Sequence, residues 1–389
     1  MTPHQPGPAE IAASDYDPAI ARLPHPYRLM AAMGHIAETS GYKLGADDYH
    51  VLAFGRVAYD DLIRMLATES MNQPVIERMC AKHPSFRAFV GVSSGLPGVT
   101  EQGQIYWLLD YLRWRFQGKH FFQTTMGLEA GLQNTDIAEG IPAAMVRPPY
   151  PIQYIQCGDA VSSPYHLINP ASGAHVFEGA YVLTGVVPPG YPESGLRFIE
   201  FVFTGTAYGK KDNLDDATAA ITLTVHDENA TMLEVLEEAL NDDDARGLKR
   251  EAAEATDIRQ CLFHLCKILL YLNTEKVVKT PLNERSELQV RLARVGAGKR
   301  GKLERQLTRT YDRIVIGAKT PPLSGGGGPA IDSGRHLPTF WRRGHFRNQP
   351  YGEGRQQHRI IWIEPVLVNA DVAVSAPQSK PYVIKGPGE

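Results

Sequence analysis

The spacing of hydrophobic positions along the chain changes near residue 148. Before it, three segments carry apolar residues at intervals of three and four, the spacing of amphipathic helices. They are YRLMAAMGHIAETSGY, DYHVLAFGRVAYDDLIRMLATES and QIYWLLDYLRWRFQG. After it, the prolines of MVRPPYPIQYIQCG end the helical pattern, and runs typical of β-strands follow. These runs are AHVFEGAYVLTGVV, GLRFIEFVFTG and AAITLTVHD, whose alternation and intervening turn residues predict an antiparallel meander.

The pattern then returns to helices and ends in a strand. NATMLEVLEEALNDDD and the apolar segment from about Ile258 to Leu272 predict two helices. The next basic segment, residues 284–317, predicts helix followed by strand, and RIIWIEPVLVNADVAV predicts a last strand. The sequence therefore predicts an α+β fold. It consists of a helical N-terminal domain, a central antiparallel sheet packed with helices, and a basic C-terminal ribbon and strand that join the sheet.

Composition sets the expected boundaries of these parts. The stretch PPLSGGGGP has the composition of a linker, and both ends of the chain are rich in proline. The predicted parts are a disordered leader (1–22), a helical domain (23–147), an α+β domain (148–320), a glycine-rich linker (321–334), the basic ribbon and strand (335–375) and a flexible tail (376–389).

The overall composition is that of a soluble globular protein. The chain has 389 residues, of which 43% are hydrophobic and 21% charged. Its sequence contains neither an apolar run long enough to cross a bilayer nor a secretory leader, so we expect a cytoplasmic protein without membrane contact. The cysteines are few and scattered. Cys261, His264 and Cys266 fall in one apolar helical segment, where buried core side chains are expected rather than metal ligands.

Positive charge is concentrated in the C-terminal third, although the formal net charge is −3. Residues 284–319 hold ten Lys and Arg against four acids, and residues 335–359 hold six Arg and three His against Glu353. This asymmetry predicts either an anionic partner for that third or pairing with an acidic body. The candidate RNA contacts are Arg305, Arg309 and Arg355.

The sequence shows no complete catalytic, cofactor or metal motif. GAGKRGK, Gly296–Lys302, has the spacing of a phosphate-binding loop, but Leu303 stands where a hydroxyl should reach magnesium, so a flexible basic loop is predicted. Cys157 becomes a candidate nucleophile only if a base lies beside it. We therefore predict no enzyme, no cofactor and no metal.

The basic ribbon leaves several interpretations open. In RHLPTFWRRGHFRNQPYGEGRQQHRIIWIEP, glycines permit turns and arginines alternate with aromatic residues, which favours a β-hairpin. RNA contact, a nuclease with His345 as base and metal binding remain candidates. The structural alternative is a clasp, in which Arg342, Arg343 and His345 fold back onto the acidic body.

The ribbon resembles the C-terminal signature of the type V-A anti-CRISPR family of phage and mobile-element proteins. The chain departs from the family pattern at Phe340 and Trp341, and Pro338 lies earlier in the chain than the proline of that pattern. The matching positions are Arg342, Arg343, Gly344, His345, Phe346, Gly352, Gly354, Arg359, Trp362, Val368 and Asn369.

The resemblance implies a non-enzymatic inhibitor. A member of that family lowers production of the type V-A effector nuclease by recognising its nascent N-terminal segment, with loss of its mRNA. The implied partner is thus the N-terminal peptide of the effector, and we assign contact with the ribosome or mRNA to the basic third. The candidate binding positions are Arg342, Arg343, Gly344, His345, Phe346, Gly352, Gly354, Arg359 and Trp362. Two rivals stay open: a phage-derived RNA-binding or RNA-degrading protein that uses the Arg/His ribbon, and a phage protein unrelated to CRISPR.

Overall fold

A computed structural model describes most of the chain between residues 16 and 368. The described residues are 16–31, 55–66, 73–83, 101–158, 163–169, 172–210, 213, 215–245, 252–307, 309–318 and 340–368. The predicted linker (321–334) and tail (376–389) lie outside them, as do the first fifteen residues of the predicted leader, Pro338 and Asn369.

Helices occupy the described parts of the segments whose periodicity predicts them, including residues 25–31. The helices at Pro18–Ala21, Gln73–Lys82 and Met126–Gln133 were not predicted. Asp17, within the predicted leader, caps the first helix because its carboxylate accepts from the Ala19 N–H at 2.8 Å. Thr231 and Glu234 form a capping box at the start of the sixth. The helices are α1 (Pro18–Ala21), α2 (Gly55–Leu66), α3 (Gln73–Lys82), α4 (Glu101–Phe116), α5 (Met126–Gln133), α6 (Met232–Ala245), α7 (Ala252–Leu272), α8 (Glu284–Leu292) and α9 (Ala297–Leu307).

Among the described residues, the central sheet has eight strands in the order β7-β6-β5-β3-β1-β9-β8, with β4 paired to β5. The predicted antiparallel meander is confirmed in β5, β6 and β7, and β3 adds to it by pairing antiparallel with β5. The sheet is mixed, however, because β1 pairs in parallel with both β3 and β9. Its strands are β1 (Phe121–Thr124), β2 (Thr135–Ile137, outside this sheet), β3 (Ile152–Gln156), β4 (His166–Asn169), β5 (Gly173–Val186), β6 (Arg197–Gly205), β7 (Thr218–Val225), β8 (Lys279–Leu282) and β9 (Arg313–Ile316).

Alternating residues of the sheet serve two separate cores. Phe121 and Tyr154 face one side, where they pack with the N-terminal helices around the buried Trp114. Phe122 and Ile155 face the other side and pack with α5, α6 and α7. Since each strand alternates its side chains between faces, both faces of the sheet are covered by helices. The predicted α+β class is confirmed.

Among the described residues, the strands of the basic ribbon lie in two small sheets, one of two and one of three strands, instead of joining the central one. Its strands are β10 (Phe340–Arg342), β11 (Gly344–Tyr351), β12 (Gln357–Ile363) and β13 (Val366–Val368). β11 pairs in parallel with β2 and antiparallel with β12, and β10 pairs with β13. The prediction differed because β2, a three-residue strand directly after α5, was not recognisable in the sequence and offers the edge that β11 uses.

Two further expectations concern the helices. GAGKRGK, predicted as a flexible loop, begins helix α9, so this prediction was wrong and the helical periodicity before it simply resumes. Cys261, His264 and Cys266 are buried in α7 as predicted. In the part of the chain that the structure describes, no helix combines the length and the apolar character needed to cross a bilayer.

Candidate functional site

The signature residues of the ribbon include the side chains that fix β11 and β12 to the body. Phe346 is fully buried and its ring lies 6.1 Å from that of Trp362. The Trp362 indole N–H donates to the Thr135 hydroxyl at 3.1 Å, and that hydroxyl donates to the Gly131 carbonyl at 2.8 Å. These contacts join β12, β2 and α5 through buried apolar area and satisfied polar groups.

The start of β11 is pressed against the end of the hairpin, where only glycine fits. The Gly344 N–H donates to the Asn134 carbonyl at 2.9 Å. A Cβ at Gly344 would lie 2.6 Å from the Ile363 carbonyl oxygen and 2.7 Å from the Pro365 nitrogen. Glycine is therefore required at Gly344 by close backbone approach.

The neighbouring cations differ in their surroundings. Arg343 donates from Nη1 to Asp136 Oδ1 at 2.6 Å, so it does fold back onto an acid of the body. Both side chains are about one third to two fifths exposed, at 36% and 42%. Arg342 is exposed at the end of β10, and His345 is half-buried between Asp136 and Ile363 in the strand register. The contact of Arg343 is thus a surface ion pair, which stabilises far less than a buried one.

A tight turn connects β11 to β12. Gly352 and Gly354 have φ values of 78° and 63°, in the left-handed region that glycine tolerates best. Arg355, with a φ of 58°, shares this conformation and is exposed. The two signature glycines therefore shape the hairpin and hold Arg355 at its tip.

Arg359 and Trp362, on β12, line a cleft of about 480 Å³. We name it the ribbon cleft. Its opposite wall comes from the C-terminal end of α7 and the segment before β8, and its floor includes the start of α5. The lining residues are Gly127, Leu128, Tyr271, Thr274, Glu275, Lys276, Val278, Ala318, Arg359, Ile360, Ile361, Trp362 and Glu364.

The end strand of a sheet forms one wall of the ribbon cleft. In the described part of the chain, β12 is an end strand of the three-stranded sheet β12-β11-β2. β12 bonds to β11 on one side, and its residues 359–362 face the cleft. An end strand offers unpaired N–H and C=O groups in a row, the feature to which an extended peptide can add.

Aromatic, apolar and charged side chains meet in the cleft. Tyr271 and Trp362 contact edge to face, with ring centroids 5.3 Å apart. Arg359 donates to Glu275 at 2.5 Å and lies 4.8 Å from the centre of the Tyr351 ring. Of these residues, only Arg359 and Trp362 were identified from the sequence. Tyr271 and Glu275 were not, because they lie more than eighty residues away in the chain.

The candidate RNA contacts occupy separate elements. Arg305 is exposed on α9 and donates from Nε to the Gly301 carbonyl at 3.3 Å. Arg309 lies 3.7 Å from Asp17, with 60% of its side chain exposed. Arg355 is at the hairpin tip. RNA contact by these three arginines stays a prediction.

A second cavity, of about 380 Å³, opens at the carboxyl ends of the parallel strands β1 and β3. Thr125, the cap of α5, and Gln156 line it. This edge of a parallel sheet is a common place for ligands. None of the signature residues that the structure describes lines it, and for that reason the ribbon cleft is the stronger candidate.

The most deeply buried charges lie on the opposite face of the sheet. Arg28 donates to Glu178 at 2.5 Å and to Asp216 at 2.6 Å, and all three side chains are at most 2% exposed. Burial raises the pKa of Asp216 to about 7 although Arg28 opposes the shift. Arg28 pairs with both carboxylates, and the cluster thereby ties residues 25–31 to the sheet.

Among the residues described, one group of side chains has the makeup of a metal site. Glu129, Cys157 and His264 place one ligand atom each within 4.8 Å of the others. The sequence predicted no metal site, because these residues come from three separate elements with no motif spacing. The group is distinct from the ribbon cleft, although α5 contributes to both.

A comparison of the sequence with family models identifies the family. The family model for "AcrVA2-like: Anti-CRISPR type V subtype A2 family" matches residues 122–370, well over half of the chain. The chain belongs to the AcrVA2-like family. A solved structure titled "Crystal structure of AcrVA2" is similar at 14% sequence identity, with a TM-score of 0.45, over 88% of this chain and 99% of that one. No curated protein sequence matches the chain.

The match to the AcrVA2-like family coincides with part of the fold. It begins at β1 and ends just after β13, so it includes the central sheet, α5 to α9 and the basic ribbon. Helices α1 to α4 lie before it. The ribbon cleft is therefore built entirely from the region that defines the family, and the resemblance predicted from the ribbon is confirmed.

Proposed function

We propose that this protein is an anti-CRISPR inhibitor of the type V-A effector nuclease. It binds the N-terminal peptide of the effector during translation and lowers effector production, with loss of the effector mRNA. It acts in the cytoplasm of the bacterial host, where that translation occurs, and performs no catalysis itself. Membership of the AcrVA2-like family supports the inhibitory role.

The observation that carries the peptide proposal is the convergence of signature residues on the ribbon cleft. Arg359 and Trp362 line it, and the end strand β12 forms its wall. A nascent N-terminus is extended and flexible, and strand addition would give it main-chain hydrogen bonds along β12. Tyr271, Val278 and the charged rim then contact its side chains and supply specificity.

Calorimetry with a synthetic peptide of the effector's first residues, without RNA, tests the binding step. We expect saturable binding by the wild type. Val278→Trp places a large side chain in the cleft and should weaken binding by roughly tenfold or more. Val290→Trp is the matched control, since Val290 is similarly exposed, at 51% against 46%, but lies on α8 outside the cleft. Absence of binding at high micromolar peptide contradicts the proposal.

A reporter in cells tests the link to translation. The effector's N-terminal coding segment is fused to a fluorescent protein in two forms, one recoded with synonymous codons and one with a compensated frameshift. Recognition of the peptide predicts loss of protein and mRNA for the recoded form and no loss for the frameshifted form. The reverse result assigns recognition to RNA.

The RNA-binding or RNA-degrading rival makes different predictions. If the C-terminal third binds RNA, neutralising its exposed arginines should weaken that binding and flatten its salt dependence. The variant combines Arg305→Gln, Arg309→Gln and Arg355→Gln. We expect it to bind the effector peptide like the wild type. Cleavage of labelled RNA by the purified protein, abolished by His345→Ala, would establish the rival.

A further inference from the structure

Three side chains from distant parts of the chain lie close together where α5, α7 and the end of β3 meet. Glu129 lies on α5, Cys157 directly follows β3, and His264 lies on α7. Their ligand atoms are all within 4.8 Å of one another, and His264 Nε2 is 2.7 Å from Glu129 Oε2. Thiolate, imidazole and carboxylate are the three ligand types that zinc combines in proteins.

The histidine provides an independent indication that the group receives a ligand. His264 is only 3% exposed, and its Nε2 faces the Glu129 carboxylate at 2.7 Å. Its Nδ1 has no hydrogen-bond partner among the described residues. Buried imidazole nitrogens are normally paired, because leaving them unpaired is costly. A metal ion would satisfy one of them.

Residues outside the group hold the Glu129 carboxylate in position. The Thr124 hydroxyl donates to Glu129 Oε1 and in turn accepts from the Gly158 N–H at 2.6 Å. Outer hydrogen bonds of this kind fix metal-binding carboxylates in place.

A nucleophilic cysteine is the competing interpretation, and the surroundings disfavour it. Cys157 is only 5% exposed, so a substrate has little access to its sulfur, and the nearby Glu129 carboxylate opposes a second negative charge there. A metal ion would take the place of the thiol proton, which leaves to solvent, and would offset the charges of the thiolate and the carboxylate.

We propose that Glu129, Cys157 and His264 bind one zinc ion. The three protein ligands leave a fourth position, and an adjoining cavity of about 40 Å³ lined by Met126, Gln133 and Tyr165 has room for a water molecule there. Because the ligands come from α5, β3 and α7, the ion would cross-link three elements on one face of the sheet. This inference does not depend on the proposed anti-CRISPR function.

Metal titration of the full-length protein tests the proposal. The protein is treated with a chelator under reducing conditions and titrated with Co²⁺, whose thiolate complexes absorb by charge transfer, and Zn²⁺ is then added to displace it. We expect one Co²⁺ per chain, a sulfur-to-cobalt band, and its loss on adding Zn²⁺. Zn²⁺ should also raise the melting temperature by about 2 °C or more.

Two variants and one matched control complete the test. Cys157→Ser should abolish the sulfur-to-cobalt band and weaken Zn²⁺ binding by about 100-fold or more. Cys266→Ser should behave like the wild type, because Cys266 is equally buried on α7 but outside the group. Should Cys157→Ser fail to fold by circular dichroism, His264→Gln replaces it with the same expected loss of affinity. Failure of the wild type to bind stoichiometrically, or an unchanged band in Cys157→Ser, overturns the proposal.

Discussion

Replacing Gly344 by alanine should loosen the whole basic ribbon. The new Cβ would lie 2.6 Å from the Ile363 carbonyl oxygen, 2.7 Å from the Pro365 nitrogen and 2.8 Å from the Pro365 Cδ. Two of these are backbone atoms and the third belongs to a rigid ring, so none can rotate away. The start of β11 must therefore move from the end of β12, or the Gly344 N–H must leave the Asn134 carbonyl.

The cost can be bounded by comparing two opposing effects. Overpacking a site that cannot relax costs about 1–3 kcal/mol. Alanine lowers the conformational entropy of the unfolded chain and thereby offsets about 0.4–1 kcal/mol. We expect the overpacking to dominate and the free energy of opening the ribbon to fall by about 1–2 kcal/mol.

Hydrogen exchange measures this change where it occurs. Amides of β11 and β12 in Gly344→Ala should exchange roughly five- to thirtyfold faster than in the wild type, while amides of β5 and β6 stay unchanged. Gly140→Ala is the control, because no atom lies within 4 Å of a Cβ at Gly140. If both variants exchange like the wild type, the close approach does not hold the ribbon and the reasoning is refuted.

Two further predictions concern charged groups. Arg343→Ala should lower the free energy of unfolding by less than about 1 kcal/mol, because its ion pair with Asp136 is partly exposed. A double-mutant cycle with Asp136→Asn measures the coupling energy of the pair, and a value above about 2 kcal/mol contradicts the prediction. Asp110→Asn should stabilise the protein at alkaline pH. Burial, and then Glu200, raise the pKa of Asp110 from 3.8 to about 8, so the folded state binds this proton more tightly than the unfolded state. The stability that the wild type gains from this proton is complete below about pH 4 and is lost as the pH rises to about 8. Chemical denaturation across this range should therefore show a free energy of unfolding that depends less on pH in the variant than in the wild type.

The sequence predicted those parts of the fold whose residues repeat at a regular interval. The meander of β5, β6 and β7 followed from strict alternation, and α7 from a long apolar segment. β1 was not predicted, although it lies inside the central sheet. Its four residues, FFQT, are too few to show a period and follow a long helix.

The candidate site was predictable only on the ribbon side. Glycine and arginine in a short stretch indicated a turn and a basic surface, and the family resemblance identified Arg359 and Trp362. The opposite wall, with Tyr271 and Val278, depends on how α7 packs against β12, which local sequence does not encode. For the same reason the sequence did not predict that Cys157 lies near His264, since only the tertiary fold brings these two residues together.

On the proposed function, the signature residues would position the binding strand and the other cleft residues would select the peptide. Gly344, Phe346 and Trp362 hold the ribbon against α5 and β2, so most of the signature fixes where the free edge of β12 lies. Main-chain bonds along that edge would hold any extended peptide. Discrimination between peptides must then come from side chains that the signature does not include, such as Lys276 and Val278. On the proposed function, family members can therefore share the ribbon and still differ in the effector N-terminus that they bind.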